Sequence, residues 1–463
     1  MSTSLHFVIL AAGKGTRMKS DLPKVLHLVG GEPMLAGALR TAESFGPATT
    51  TLVVGHMAES VAAYVARFPA VRTVLQEPQL GTGHALLQAA PVLAGQTGTV
   101  VLLYGDVPLL SRETVARLVA THDAARAAAT VLTAHLANPA GLGRIVREGG
   151  ELARIVEERD ASPAERAITE FNSGIYAFAL DGLVAALGRI GTANDQGEYY
   201  LPDLIDIFRG DGRKVQALCL DDPTELRGVN TRAELAEMSA ILRDARNAAA
   251  MNAGVTIVDP QTTWLGAAVE IGRDTVVHPN VFLEGRTRIG ARCEIRPGVR
   301  IVDSTLADDV VVLDSCLIRQ SSVGAGATLG PFAQLRPDSR VEAGAHVGNF
   351  VELKKTTLGP GSKANHLAYL GDAVIGAKVN IGAGVITCNY DGEKKHPTII
   401  EDGAFIGTDS QLVAPVRVGA DAYVAAGSSI TRDVPSGALA IARSRQENKP
   451  GWAERRRVAK AVK

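Results

Sequence analysis

Cysteine is scarce: Cys219, Cys293, Cys316 and Cys388 are scattered over 463 residues, with no CxxC spacing among them. That pattern offers neither a structural zinc site nor a disulfide framework, and it suits a reduced, cytoplasmic setting. An excess of charge of either sign is also missing, with 48 Lys and Arg against 49 Asp and Glu. The balance excludes a general attraction to nucleic acid or to an anionic membrane surface, so a charged ligand must be held locally. The apolar run His6 to Ala12 is too short to cross a bilayer and lacks a basic leader, which predicts a buried strand rather than a signal or a membrane span. Length excludes a single ordinary core and points to two or three domains.

What is present is two different periodicities. Short apolar runs at Phe7–Ala11, Thr51–Val54 and Val100–Leu103 alternate with helical stretches at Val61–Arg67 and Val115–Ala129. This order predicts a βαβ-built sheet of parallel strands. From Thr231 to Met251, residues Leu235, Met238, Ile241, Leu242 and Ala245 share one helix face, and Asn252 and Gly254 supply a stop, so a connecting helix is predicted.

Beyond it, aliphatic residues recur at every sixth position: Ile271, Val277, Leu283, Ile289, Ile295 and Ile301; then Val323, Leu329, Leu335, Val341, Val347 and Leu353; then Ile400, Ile406, Leu412, Val418, Val424 and Ile430. A period of six fits neither a helix nor a hairpin. It suits a coil with three flat faces, each placing one aliphatic side chain on a shared axis. Glycines such as Gly272, Gly290, Gly348 and Gly407 argue against a helix, since each would cost it about 1 kcal/mol. Phase slips are expected to mark loops that leave the prism, the largest being Cys388 to His396.

Two segments of the first half carry chemistry on their own terms. The first strand runs into Leu10, Ala11, Ala12, Gly13, Lys14, Gly15, Thr16 and Arg17, a small-residue turn whose amides can approach phosphates, and Lys24 can add a cation. The turn is neither a Walker loop nor GxGxxG, since Met18 stands at the third glycine position. At the end of another predicted strand, Tyr104, Gly105 and Asp106 place a carboxylate where open α/β sheets bind ligands. Asp106 suits magnesium, which accepts one or two protein oxygens and completes its shell with water and substrate phosphates.

Together with Leu80 to His84 (LGTGH) and Gly228, Val229 and Asn230, these segments resemble the sugar-1-phosphate nucleotidyltransferases. From residue 6 to about 452 the chain resembles the family of bifunctional bacterial UDP-N-acetylglucosamine pyrophosphorylase and glucosamine-1-phosphate N-acetyltransferase. The resemblance implies a Rossmann-like α/β nucleotidyltransferase domain (1–232), a linker helix (233–253) and a left-handed parallel β-helix of hexapeptide repeats (254–463). It also implies roles for individual residues. Leu10, Ala11, Ala12, Gly13, Arg17 and Lys24 would hold nucleotide and phosphates, Gln76, Gly81 and Thr82 the uracil, and Tyr104, Gly105 and Asp106 the sugar-phosphate region. Gly143, Glu157 and Asn172 would meet the N-acetylglucosamine moiety, and Asp106 and Asn230 would hold Mg2+. The sugar-1-phosphate oxygen would attack the α-phosphorus of UTP in line, which asks the protein for positioning and charge neutralisation rather than for a side-chain nucleophile.

For the second half the resemblance implies acetyl transfer from acetyl-coenzyme A. His366, in SKANHLAYLG, is the implied general base, because a neutral imidazole can take the proton of an attacking amine near pH 7. Arg336 and Lys354 would bind the phosphate of glucosamine-1-phosphate, with Tyr369 and Asn380 orienting the sugar. Ala383, Asn389, Tyr390, Thr408, Ala426 and Arg443 would contact acetyl-coenzyme A. Thr408 stands where many members carry serine, and Asn365 where glycine is common. A homotrimer is implied as well, and a product that feeds cell-wall and lipopolysaccharide precursors. The basic end, Arg455 to Lys463, receives no role. Two other functions compete: a single-activity nucleotidyltransferase of the adenylyl or thymidylyl type with a structural β-helix, and a non-enzymatic scaffold that senses a nucleotide sugar.

Overall fold

A computed structural model describes residues 4–461, and the chain divides into two compact units that part between Leu242 and Arg243. In the first unit, strand β1 (Leu5–Ala11) is an unbroken aliphatic run because both faces of its sheet are covered. Val8 and Leu10 enter one core, and Phe7, Ile9 and Ala11 enter the other. Helix α1 (Met34–Glu43), β2 (Thr49–Val54), α2 (Ala58–Val65), β3 (Val71–Leu75) and β4 (Thr99–Tyr104) follow. Helix α3 (Arg112–Ala125), β5 (Ala129–His135), the hairpin β6 (Arg144–Glu148) and β7 (Glu151–Val156), β8 (Glu170–Ala179) and β9 (Val215–Leu220) complete the sheet. The strand order is β9-β5-β8-β4-β1-β2-β3, with the hairpin attached to β8.

Two expectations are corrected here. The sheet is mixed rather than wholly parallel, because β8 runs antiparallel to both β4 and β5. The β6–β7 hairpin, turned by Gly149 and Gly150 at φ 59° and 88°, lies between β5 and β8 in place of a crossover helix. The helix expected over Val115–Ala129 spans Arg112–Ala125 instead. Ser111 caps its start by accepting from Thr114 N at 3.1 Å, and Arg126 in the left-handed region (φ 49°) ends it. Ala127, Ala128 and Ala129 favour a helix by propensity, but all are buried and lead into β5. The carboxyl ends of β1 and β4, paired in parallel, bring Ala11 and Tyr104 to the same edge.

The second unit is a prism of three parallel sheets, each receiving every third short strand. Val276 pairs with Glu294, Glu294 with Val311 and Val311 with Thr328, so one coil takes seventeen or eighteen residues. The aliphatic residues of the six-residue series are buried, except Ile271 in an early coil, which is half-buried. Most phase slips turn out to be one-residue contractions at a corner, since Ile301 is followed in the core by Leu306, and Leu353 by Leu358. His366 therefore stands on a continuous repeat, flanked by the core residues Ala364 and Leu370. Cys388 itself stays in the prism, paired with Val413, but the segment from Asn389 to His396 does leave it, which is why Asn380 pairs with Phe405 rather than with a residue one ordinary coil away. Gly348 is required by close stacking, since a Cβ there would lie 1.9 Å from the Asn365 carbonyl.

Helix α4 (Arg232–Asn252) runs through the division between the units. Thr231 Oγ1 accepts from Glu234 N at 3.2 Å, while Glu234 Oε2 accepts from Asn230 N at 2.6 Å and Thr231 N at 2.9 Å. This reciprocal cap fixes the backbone of Asn230. Met238 is buried with Val29, Met34 and Val229, and further along Asn247 donates to the carbonyls of Pro260 and Thr263. Replacing the fully buried Leu335 by alanine should cost the second unit roughly 2–5 kcal/mol. The check is a lower urea midpoint for the loss of β-sheet circular dichroism.

Candidate active sites

In the first unit a cavity of about 410 Å³ is lined by Leu10, Ala11, Ala12, Gly13, Lys24, Gln76, Gly81, Thr82, Tyr104 and Asp106. A neighbouring cavity of about 390 Å³ shares Tyr104 and Asp106 and adds Arg17, Asn172 and Asn230. Asp106 thus stands where the two meet. Lys24 Nζ donates to Asn230 Oδ1 at 2.8 Å and is ion-paired with Asp106. Two hard oxygen donors converge on one cation, the donor set a magnesium ion would take from this chain, so the residues fit the metal.

The loop that would face the base is pinned from two sides. Buried Gln76 donates Nε2 to the Gly81 carbonyl at 2.9 Å, and Leu80 O accepts from Tyr199 N at 2.9 Å. Gly81 has φ 104°, and a Cβ there would lie 2.7 Å from Tyr199 O. Gly105 N donates to Leu10 O at 3.0 Å, holding the Tyr104–Asp106 turn against the first strand.

Gly143 and Glu157 line neither cavity as a wall, yet they meet Asn172. Asn172 N donates to Gly143 O at 2.9 Å, and a Cβ on Gly143 would lie 3.2 Å from Glu157 Oε1. Asn172 Oδ1 accepts from Gly174 N at 2.9 Å and Tyr176 OH at 3.0 Å. Burial pushes the Glu157 carboxyl up, reinforced by Asp160 and Asp203. Burial likewise raises the Tyr104 phenol, with Asp106 and Glu157 adding to it. Asp203 is pushed up to about 6 by burial, then by Asp206 and Asp160.

In the second unit Asn349 pairs with His366 across one coil, and His366 Nδ1 lies 2.6 Å from Asn349 Oδ1. A carbonyl oxygen only accepts, so Nδ1 carries a proton, and in the neutral ring Nε2 is the nitrogen that holds the lone pair. Lys363 pairs with Asn380, Asn380 with Phe405 and Phe405 with Tyr423. Continued three residues along each coil, this register puts His366, Ala383, Thr408 and Ala426 in one column at a corner of the prism. Arg443 Cδ lies 3.7 Å from the position of a Cβ on Gly427, beside the foot of that column.

On the adjoining sheet, Lys354 pairs with Gly371, and Arg336 stands one coil before Lys354. Arg336 donates to Glu352 Oε1 at 2.8 Å, and Lys354 lies 3.9 Å from Asp372 Oδ2. Buried Asn389 donates Nδ2 to that same Asp372 oxygen at 2.5 Å. Gly371 allows Tyr369 and Asn389 to converge, since a Cβ there would lie 2.6 Å from Tyr369 Oη and 2.7 Å from Asn389 Nδ2. Tyr390 is exposed and donates to Gly392 O within the loop. Lys354 pushes the Lys395 ammonium down, which brings a further cation of the loop into this cluster.

Sequence patterns missed Asn349, Glu352, Asp372 and Lys395, as well as Gln79 and Glu198, which line the nucleotide-side cavity. The signal for Asn349 was available only as a spacing of one coil before His366.

Residues 7–170 match the MobA-like NTP transferase domain, and residues 397–432 the hexapeptide repeat of succinyl-transferase. The chain is 49% identical over 451 residues to "Bifunctional protein GlmU" of Trichlorobacter lovleyi, covering 97% of this chain and 98% of that protein. It is 51% identical over 448 residues to the protein of the same name from Syntrophotalea carbinolica, covering 97% and 96%. With that of Brevibacillus brevis the identity is 49% over 454 residues, 98% of each chain.

Asn349→Ala should lower kcat of acetyl transfer roughly tenfold or more with little change in KM, because the imidazole loses the partner that sets its tautomer. Steady-state thiol release measures it. Asp203, whose folded value of about 6 exceeds the ordinary carboxylate range, favours folding below that range and loses this contribution as pH rises through 6. Asp203→Asn should therefore raise the melting temperature of the first unit at pH 7.5 and show no gain at pH 4, as followed by calorimetry.

Proposed function

The chain belongs to the family of bifunctional GlmU proteins, which joins acetyl transfer and uridylyl transfer in the synthesis of UDP-N-acetylglucosamine, and we propose that its two sites divide the chemistry as follows. In the second unit, a left-handed parallel β-helix, the amine of glucosamine-1-phosphate attacks the acetyl carbonyl of acetyl-coenzyme A. His366 Nε2 takes the proton, the thioester C–S bond breaks, and the coenzyme leaves as thiol once it recovers that proton. Arg336 and Lys354 neutralise the sugar phosphate, and Tyr369 and Asn380 orient the ring. Ala383, Thr408, Ala426 and Arg443 carry the coenzyme along the column below His366, with Asn389 and Tyr390 beside the reacting end. The observation that carries this assignment is that column, because it aligns the proposed base with the proposed coenzyme contacts on consecutive coils.

In the first unit, a phosphate oxygen of N-acetylglucosamine-1-phosphate attacks the α-phosphorus of UTP in line and pyrophosphate leaves. The turn Leu10 to Gly13 with Arg17 and Lys24 holds the triphosphate, Gln76, Gly81 and Thr82 the uracil, and Gly143, Glu157 and Asn172 the sugar. Asp106 and Asn230 would hold Mg2+, which when bound would neutralise the phosphate charge.

We take 1–232, 233–253 and 254–463 as working boundaries, a division supported by the extent of helix α4. A homotrimer is supported by an exposed apolar ridge at a prism corner, where Phe332 stacks on Phe350 at 5.3 Å and Leu367 follows. A cytoplasmic location is supported by four free thiols.

His366→Ala should abolish thiol release from acetyl-coenzyme A and leave uridylyl transfer intact, whereas Asp106→Ala should remove metal-dependent pyrophosphate release and leave acetyl transfer intact. Mass analysis of products, with each substrate omitted in turn, checks both. Equal loss of the two activities in either variant would contradict the division.

A further inference from the structure

Arg144 is 2% exposed and takes no part in the chemistry above. Its guanidinium donates to the Leu142 carbonyl, to Glu158 Oε2 at 2.6 Å and to the Arg166 carbonyl at 3.5 Å. Its Nε is buried with no hydrogen-bond partner. Burying a guanidinium is costly unless it is well paired, and here one N–H remains unpaired.

The acceptors lie in a specific place. Leu142 directly precedes Gly143, and Glu158 directly follows Glu157. The rigid, planar guanidinium therefore joins the Leu142 carbonyl to the Glu158 carboxylate, and so ties together the two segments in which Gly143 and Glu157 lie against one another. A Cβ on Gly143 would already lie 3.2 Å from Glu157 Oε1 and 3.4 Å from Asn172 Cβ. A displacement of either segment would shift the Gly143 backbone relative to the Glu157 carboxylate and Asn172.

We propose that Arg144 is a positioning residue for uridylyl transfer, setting how Gly143 and Glu157 stand against one another beside the sugar of N-acetylglucosamine-1-phosphate. The proposal rests on the assignment of Gly143, Glu157 and Asn172 to that sugar. Arg144 does not touch the substrate; it acts through the two segments it joins. Lysine cannot reproduce the fork, because a single ammonium does not hold both acceptors in one plane.

The test uses the full chain and four proteins: wild type, Arg144→Lys, Glu158→Ala and Glu157→Gln. Uridylyl transfer is measured with UTP and N-acetylglucosamine-1-phosphate varied separately, alongside melting temperature and acetyl transfer. Arg144→Lys and Glu158→Ala should each raise KM for the sugar phosphate roughly tenfold, with KM for UTP changed less than about twofold and acetyl transfer unchanged. Glu158 is partly exposed, so its alanine variant keeps the test open if Arg144→Lys does not fold. A purely structural role predicts a lower melting temperature with both KM values unchanged in the folded protein. If Glu157→Gln raises the sugar-phosphate KM while Arg144→Lys and Glu158→Ala do not, the positioning role is overturned and the sugar assignment stands. If Glu157→Gln also leaves it unchanged, the sugar assignment fails and the positioning role fails with it.

Discussion

One buried aliphatic side chain per face of each coil is the constraint from which the second unit follows. It forces successive coils into parallel register, so residues seventeen or eighteen positions apart become neighbours, and polar residues displaced from the core column form columns of their own. Asn349 reaches His366, and Thr408 lies below Ala383, only because Val347, Ala364, Ile381 and Ile406 stack beneath them. Packing thus does the work of alignment, and no flexible loop is needed to bring the imidazole to its partner. The inserted segment at Asn389 is the contrast. It is held by the Asn389–Asp372 hydrogen bond and by Asp391, whose carboxyl accepts from the Lys394 amide, then from His396 and the Glu393 amide.

The first unit obeys a different rule. Its parallel strands end at one edge, and the loops there supply donors and acceptors whose side chains come from distant parts of the sequence. Lys24, Asp106 and Asn230 meet although none is near another in the chain. The mixed sheet matters for the same reason. Antiparallel β8 brings Asn172 back beside Gly143, with the Tyr176 hydroxyl on its side-chain oxygen, so the part of the site proposed for the sugar is built around a hairpin rather than a crossover.

The architecture was legible because its signals are periodic: the six-residue series and the helix face of Leu235 and Met238 repeat often enough to be read without the fold. The residues matching family motifs were legible too, and the structure gathers most of them into two clusters. The reversal of β8 was not, because direction is decided by a hairpin whose sequence looks like any other pair of short strands. Asn349 and Arg144 were hidden for a related reason. Asn349 acts on a residue one coil away, at a distance set by corner contractions, and Arg144 is a buried cation whose partners, two backbone carbonyls and the carboxylate of Glu158 on the far side of a hairpin, carry no sequence signature.

The reciprocal cap of Thr231 and Glu234 has a bearing on where the first enzyme ends. Asn230 is the last residue assigned to its site, yet the amide of Asn230 is held by a carboxylate four residues further on, and Met238 lies in the same small core as Val229. A gene fragment cut just after Asn230 would encode every assigned side chain of that site while discarding what keeps one of them in place. The linker helix therefore belongs, over its first two turns, to the catalytic unit it leaves.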